Sequence, residues 1–254
     1  MLCAACVLTA VLKTSGAPAP ASASGDGIIS WGVTPNTKEL TPEPPKGGAE
    51  ILKKYNGMFV ADTAGKKLYF TFDLGYEAGY TAAVLDILKE HRIKAVFFVC
   101  GNYLKEKELI GRMIAEGHSM GNHTDKHKDL PALADGDIQK DIADLQTQFK
   151  ERYPDQPMMY FRPPKGRFNE RAMSIAHGAG LKTLMWSIAI VDWGRAPINA
   201  AENAAKIEKR LHPGAIILLH ITNAGTPEML KLLIPKAIAK GYSFGRPEEL
   251  LIDN

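Results

Sequence analysis

Leu68-Tyr69-Phe70-Thr71-Phe72-Asp73-Leu74-Gly75 is a run of aromatic and β-branched residues that stops at a carboxylate and a glycine. Such a run, bounded by a turn signal, reads as a buried strand over 68–72 ending at Asp73. Outward from it the chain alternates. Val84, Leu85 and Leu88 have helical spacing over 81–91, and 95–99 is a short apolar run. A helix is expected over 106–116. Another is expected over 137–152, with Ile138, Ile142, Leu145 and Phe149 on one face. Residues 160–162, 183–186 and 215–220 read as further buried strands. Alternation of this kind predicts a parallel sheet or barrel covered by helices. There is no internal repeat.

The 254 residues are 45% hydrophobic and 23% charged, an ordinary globular balance that excludes disorder, collagen and coiled coil. A net charge of +3 is too small to imply a nucleic-acid or membrane-surface partner. Three cysteines make no disulfide framework, and no stretch reaches the roughly 20 apolar residues of a membrane span. Residues 1–12 are apolar except for Thr9, and a small-residue run ending Ala21-Ser22-Ala23 follows Lys13. This pattern predicts a cleaved signal peptide over 1–23 and work outside the cytoplasm; the alternative is a short buried helix. Cleavage would remove Cys3 and Cys6 and leave Cys100, which reads as a small buried hydrophobe rather than a reactive thiol. Residues 24–66 are expected to form an N-terminal arm. Its first half is rich in Gly and Pro, and a short helix covers 49–55.

Polar residues stand at the C-terminal ends of the strand-like runs, where the loops of an α/β barrel converge on one mouth. Asp73 is one, with a strand-ending turn as the alternative reading. Arg162 is another. Pro163 and Pro164 hold it in extended geometry, so it either pairs with a buried carboxylate or lies on the surface. His220 closes the run 215–220, where an isolated histidine also serves structure. His123 and His127, four apart, would aim at one metal from a helical turn or tight loop, or else belong to a solvated loop.

Taken together, Thr71-Phe72-Asp73-x-Gly75, His123-x-x-x-His127, Arg162-Pro163-Pro164-x-Gly166, Asp192-Trp193 and Leu218-Leu219-His220 resemble the polysaccharide deacetylase family, the NodB-homology domain, over residues 67–251. Tyr76-Glu77-x-Gly79-Tyr80-Thr81 and Trp186-Ser187-x-Ala189-x-Val191-Asp192-Trp193 look like its delta-lactam-biosynthetic branch. That branch deacetylates N-acetylmuramic acid in peptidoglycan during spore cortex formation. The Trp31-Gly32 arm and Leu52-Lys53-Lys54-Tyr55 fit the same branch.

The resemblance implies a distorted (β/α) barrel over 67–254. It implies Asp73 as the general base, Arg162 as the group that keeps Asp73 ionised, and His220 as the general acid held by Asp192. His123 and His127 would bind a divalent metal such as Zn²⁺. Trp193 and Leu218 would wall the acetyl pocket, the Lys165 backbone N–H would face the oxyanion, and Tyr76 would either shape the glycan groove or belong to the core. Glu77 would shape the same groove or be solvated. The partner implied is a peptidoglycan glycan strand, met by a secreted or wall-associated monomer without nucleic-acid or stable protein partners. In a sporulating cell the place would be the forespore intermembrane space.

The sequence departs from the family in two places. Leu74 stands where the family carries a second Asp that ligates the metal, so weak metal binding is expected, tightened by Leu74→Asp. Ala189 replaces a carboxylate. Alternative functions are deacetylation of peptidoglycan N-acetylglucosamine or chitin oligosaccharide, and glycan binding without catalysis.

Overall fold

The computed structural model describes residues 27–194 and 196–252. The leader expected at 1–23 lies outside them. The elements in chain order are β1 (Ile29–Ser30), α1 (Gly48–Lys54), β2 (Lys67–Leu74), α2 (Thr81–Glu90), β3 (Val96–Val99), α3 (Lys107–Ala115) and β4 (Ser119–Asn122). They continue with α4 (Asp135–Arg152), β5 (Tyr160–Phe161), β6 (Arg167–Phe168), α5 (Glu170–Gly178), β7 (Lys182–Thr183), β8 (Ile188–Ala189), α6 (Ala200–Glu208), β9 (Ala215–His220), α7 (Gly225–Ala239) and β10 (Ser243–Phe244).

The main sheet runs β7-β5-β4-β3-β2-β9-β8, with β10 beside the start of β2, and every pairing in it is parallel. Its two edges, β7 and β8, are separated by only five peptide steps. Those steps reach at most roughly 17 Å, whereas six strand spacings of a flat sheet cover about 29 Å. The sheet must therefore curl into a distorted barrel. The expected strand at 183–186 is thus replaced by two short strands on opposite edges, with the chain crossing the gap between them.

The arm is more than a linker. Met58 bridges Leu184 and Val60 bridges Ala215 across the barrel's open seam. Trp31 is buried and donates its Nε1–H to the Trp186 carbonyl (2.9 Å), while β1 pairs with β6.

Alternation along β2 sorts its side chains. Leu68, Phe70, Phe72 and Leu74 join the outer core under the helices. Tyr69 joins Phe98, Tyr160, Leu184 and Ile216 inside the barrel, and Thr71 and Asp73 share its parity. The turn Pro247–Leu251 floors the barrel, where Tyr160 donates to the Pro247 carbonyl (2.7 Å) and Tyr69 to Glu249 (3.0 Å). The opposite end, where the strands finish, is left as the mouth.

β4 escaped the sequence reading because Ser119-Met120-Gly121-Asn122 is not an apolar run. A Cβ at Gly121 would lie 2.4 Å from the Phe98 ring, so the strand keeps a glycine where an aromatic ring occupies the space.

Candidate active site

Register brings the first two groups together. Asp73 pairs with His220 on adjacent parallel strands, so both side chains rise on the same side of the rim. Val99 pairs with Asn122 and Asn122 with Phe161. The next residue on each of those strands is Cys100, His123 and Arg162, which completes the rim.

Asp73 is 7% exposed and Arg162 is 0% exposed. Arg162 donates from Nη1 to Asp73 Oδ1 (2.8 Å) and Thr71 Oγ1 (2.9 Å), and from Nε to the Leu184 carbonyl (2.8 Å). Its guanidinium lies 4.2 Å from the centroid of the Phe98 ring. Burial opposes ionisation of Asp73, but Arg162 above all outweighs it, and the carboxyl is held below the usual carboxylate range. Asp73 Oδ2, 3.6 Å from His123 Nε2, stays on the cavity side.

The histidine loop hangs from α4. Asn122 donates to the Ile142 carbonyl (2.9 Å) and accepts from Thr124 N–H (2.8 Å), while Lys126 N–H donates to Asp141 (2.8 Å). Thr124 and His127 both have positive φ, at 63° and 51°, a costly conformation for a β-branched residue. The His127 N–H bonds Thr124 Oγ1 (3.0 Å) and helps fix it. His123 Nδ1 meets the Arg162 carbonyl at 2.8 Å; a carbonyl only accepts, so Nδ1 carries the proton and Nε2 presents a lone pair. Burial takes His123 down to about 4 and lowers His127 too, so both rings are neutral, as metal ligands must be. Cys100 Sγ lies with one donor atom of each ring, all within 4.8 Å of one another. This donor set fits a divalent ion.

His220 is held from behind. Its Nδ1–H donates to Asp192 Oδ1 (2.8 Å), and its backbone N–H donates to Oδ2 (2.7 Å) of the same fully buried carboxylate. Burial lowers the imidazole, yet Asp192 and Asp73 win and raise it above its ordinary value. Nε2–H is thus a proton donor beside an ionised carboxylate.

These residues open on a cavity of about 810 Å³, within the size range of ligand pockets. Asp73, Tyr76, His123, His127, Lys165, Trp193, Leu218 and His220 line it, with Arg162 and Asp192 behind. Tyr76 and Trp193 are 50% and 59% exposed, placing aromatic faces at the mouth rather than in the core. Lys165 sits at φ 59° in the turn Pro164–Gly166. A Cβ at Gly166 would strike the Trp186 ring at 2.5 Å.

Two expectations need correction. Leu74 is 1% exposed, belongs to the outer core and does not line the cavity, so it does not face the histidines. Glu77 is not a solvated groove residue. It accepts from Gly79 N–H (2.5 Å), Tyr103 Oη–H (2.9 Å) and the Thr81 hydroxyl, tying the loop to the start of α2. Cys100 is buried, in keeping with its reading as a small hydrophobe, and burial pushes its thiol up, but its Sγ also lies among the imidazoles. Its place after an apolar strand, the same as that of Asp73, was the available signal.

The family model for polysaccharide deacetylase matches residues 61–184. The peptidoglycan-N-acetylmuramic acid deacetylase PdaA of Bacillus subtilis is 35% identical, over 99% of this chain and 96% of that protein. Its solved structure superposes with a TM-score of 0.84, at 35% identity, covering 89% of this chain and 97% of that one. The peptidoglycan-N-acetylglucosamine deacetylase of Bacillus cereus is 32% identical, over 73% of this chain and 88% of its own length.

Proposed function

Because the chain belongs to the polysaccharide deacetylase family, we propose that this deacetylase acts on the N-acetylmuramic acid residues of peptidoglycan. Similarity to the Bacillus subtilis enzyme over almost the whole of both chains supports that sugar. The observation that carries the chemistry is the pair of buried dyads, Asp73–Arg162 and His220–Asp192, facing one another across neighbouring strands.

Amide hydrolysis needs a deprotonated water, a site for the oxyanion and a proton for the departing nitrogen. Asp73 Oδ1 is occupied by Arg162, so Oδ2 takes the proton of the attacking water as the C–O bond forms. His220 Nε2–H then protonates the nitrogen as the C–N bond breaks, and Asp192 steadies the imidazolium. Acetate and a free amine result. A divalent ion held by His123 and His127 would polarise the carbonyl and acidify the water. Leu218 and Trp186, both buried, wall the cavity against solvent, which strengthens each of these interactions.

N-acetylmuramic acid carries a lactyl carboxylate that N-acetylglucosamine lacks. Lys126 at the mouth is engaged by Asp125 (2.7 Å), whereas Lys165 has no carboxylate partner among the described residues. Lys165 is the cation offered to the lactyl group. A polymer needs room beyond the reacting sugar, and a second cavity of about 480 Å³ shares Trp186, Ala189 and Ile190 with the first. The amine released beside a lactyl carboxyl is the precursor of a muramic delta-lactam, the chemistry of spore cortex. Peptidoglycan lies outside the membrane, so the leader proposed at 1–23 belongs to the same scheme.

Mass spectrometry of muropeptides after incubation with the enzyme tests the proposal. Acetyl loss confined to muramic acid is expected. Loss from glucosamine instead would transfer the chain to the alternative substrate.

A further inference from the structure

We infer that Cys100 is the third, anionic ligand of a thiophilic divalent ion held with His123 and His127, of the class of Zn²⁺ and Co²⁺. This rests on the two imidazoles being the metal ligands of the deacetylase site. The three donor atoms lie within 4.8 Å of one another, and a shared ion would draw them to bonds of about 2.0–2.3 Å.

The supply of uncommitted donors decides for the thiol. Two neutral imidazoles bring nothing to offset a dication. Among the carboxylates lining the cavity, Asp73 has Oδ1 bonded to Arg162 and Oδ2 reserved as the base of the proposed reaction, and Asp125 has Oδ1 bonded to Gln148 (3.0 Å) and Oδ2 to Lys126 (2.7 Å). Leu74 points into the outer core. Cys100 is the remaining group whose donor atom sits beside both imidazoles. Its place is also built. Cys100 N–H donates to the Leu74 carbonyl (3.0 Å) and Gly101 N–H to the Asp125 carbonyl (3.2 Å). A Cβ at Gly101 would sit 1.8 Å from Asp125 Oδ1, so only glycine lets the chain turn here. Cys100 follows the register pair Val99–Asn122, one step beyond which lies His123.

The metal-free thiol lies 3.5 Å from the His123 carbonyl, to which it donates. On binding, the S–H bond breaks, the proton passes to solvent, and a sulfur–metal bond replaces one water of the hydrated ion. Three protein ligands then leave one position open, the ligand count of catalytic zinc sites. A thiolate in the set selects Zn²⁺ or Co²⁺ over Mg²⁺ or Mn²⁺.

The test uses the full chain with Cys3→Ser and Cys6→Ser, so that Cys100 is the sole thiol. Titration of the metal-free protein with Co²⁺ should raise a thiolate-to-cobalt charge-transfer band in the near ultraviolet, lost in Cys100→Ser. Zn²⁺ affinity, measured against a chelator, should fall at least about tenfold in Cys100→Ser and Cys100→Ala, since even supporting groups cost roughly 10–100-fold. Cys100→Asp should bind without the band. Should the variants misfold, added Zn²⁺ must still slow modification of Cys100 by a thiol reagent at least tenfold. Unchanged affinity in folded variants, a band that survives Cys100→Ser, or no protection of the thiol would overturn the inference. If His127→Ala still abolishes binding in that case, the histidine assignment stands. Failure of the unsubstituted site to bind either ion sinks both.

Discussion

Arg162→Met removes the cation bonded to Asp73 and leaves the carboxylate behind. Three hydrogen bonds of 2.8–2.9 Å disappear, to Asp73, Thr71 and the Leu184 carbonyl, while Met fills a similar volume over Phe98. Breaking a buried ion pair from one side costs about 3–5 kcal/mol, because the remaining charge has lost its partner. Adding Asp73→Asn should return roughly 1–3 kcal/mol, the desolvation cost of an unsatisfied buried group. The pH dependence carries the sign. In the native protein Asp73 lies below its ordinary value, so it stabilises the fold above the unfolded carboxylate's pKa of about 3.9 and loses that contribution as pH falls through the folded value. Without Arg162, burial dominates and the pKa rises, so the variant should gain stability relative to wild type on acidification from pH 7. Urea denaturation of wild type, both single variants and the double variant at pH 7 and pH 5 measures all of this. A cost under about 1 kcal/mol for Arg162→Met, typical of an exposed pair, or an Asp73→Asn effect identical in both backgrounds, would refute the reasoning.

Asp73→Asn and His220→Ala should each lower acetate release by about 10²–10⁴-fold with the fold intact by circular dichroism, the range of a lost general acid or base. Asp192→Asn removes the group that raises His220; because His220 must be protonated to act, the alkaline limb of kcat/KM should move to lower pH, and an unmoved limb would dissociate His220 from the acid role. Leu74→Asp should not tighten Zn²⁺ binding and should destabilise the protein by about 2–5 kcal/mol from lost packing alone; calorimetric titration and thermal melts decide. Lys165→Ala should weaken turnover of the muramic substrate by about tenfold or more, the worth of a charge-assisted contact, and spare a glucosamine substrate; equal losses on both would remove Lys165 from lactyl recognition.

The order of elements was legible along the chain because hydrophobic periodicity is local. The span of β9 needed only its own six residues to be recognised, and α2 only its apolar stripe. Family motifs likewise pointed to Asp73, His123, His127, Arg162, Asp192 and His220, since each chemistry demands a residue type at a strand end. Local pattern was silent where long-range packing ruled. β4 consists of Ser, Met, Gly and Asn, and its pairing depends on Phe98 from another strand. The break between β7 and β8 follows from the geometry of a curled sheet, which an apolar run over 183–186 does not reveal. The direction of Leu74 and the company of Cys100 depend on which side of a strand end each side chain leaves. A motif names residues in order along the chain, but a one-residue step reverses the face. Alternation of apolar runs therefore sufficed for the kind of fold, and the family resemblance pointed to the acid and base. Which atoms surround the metal position is a property of strand register and backbone turns contributed by segments far apart in the chain.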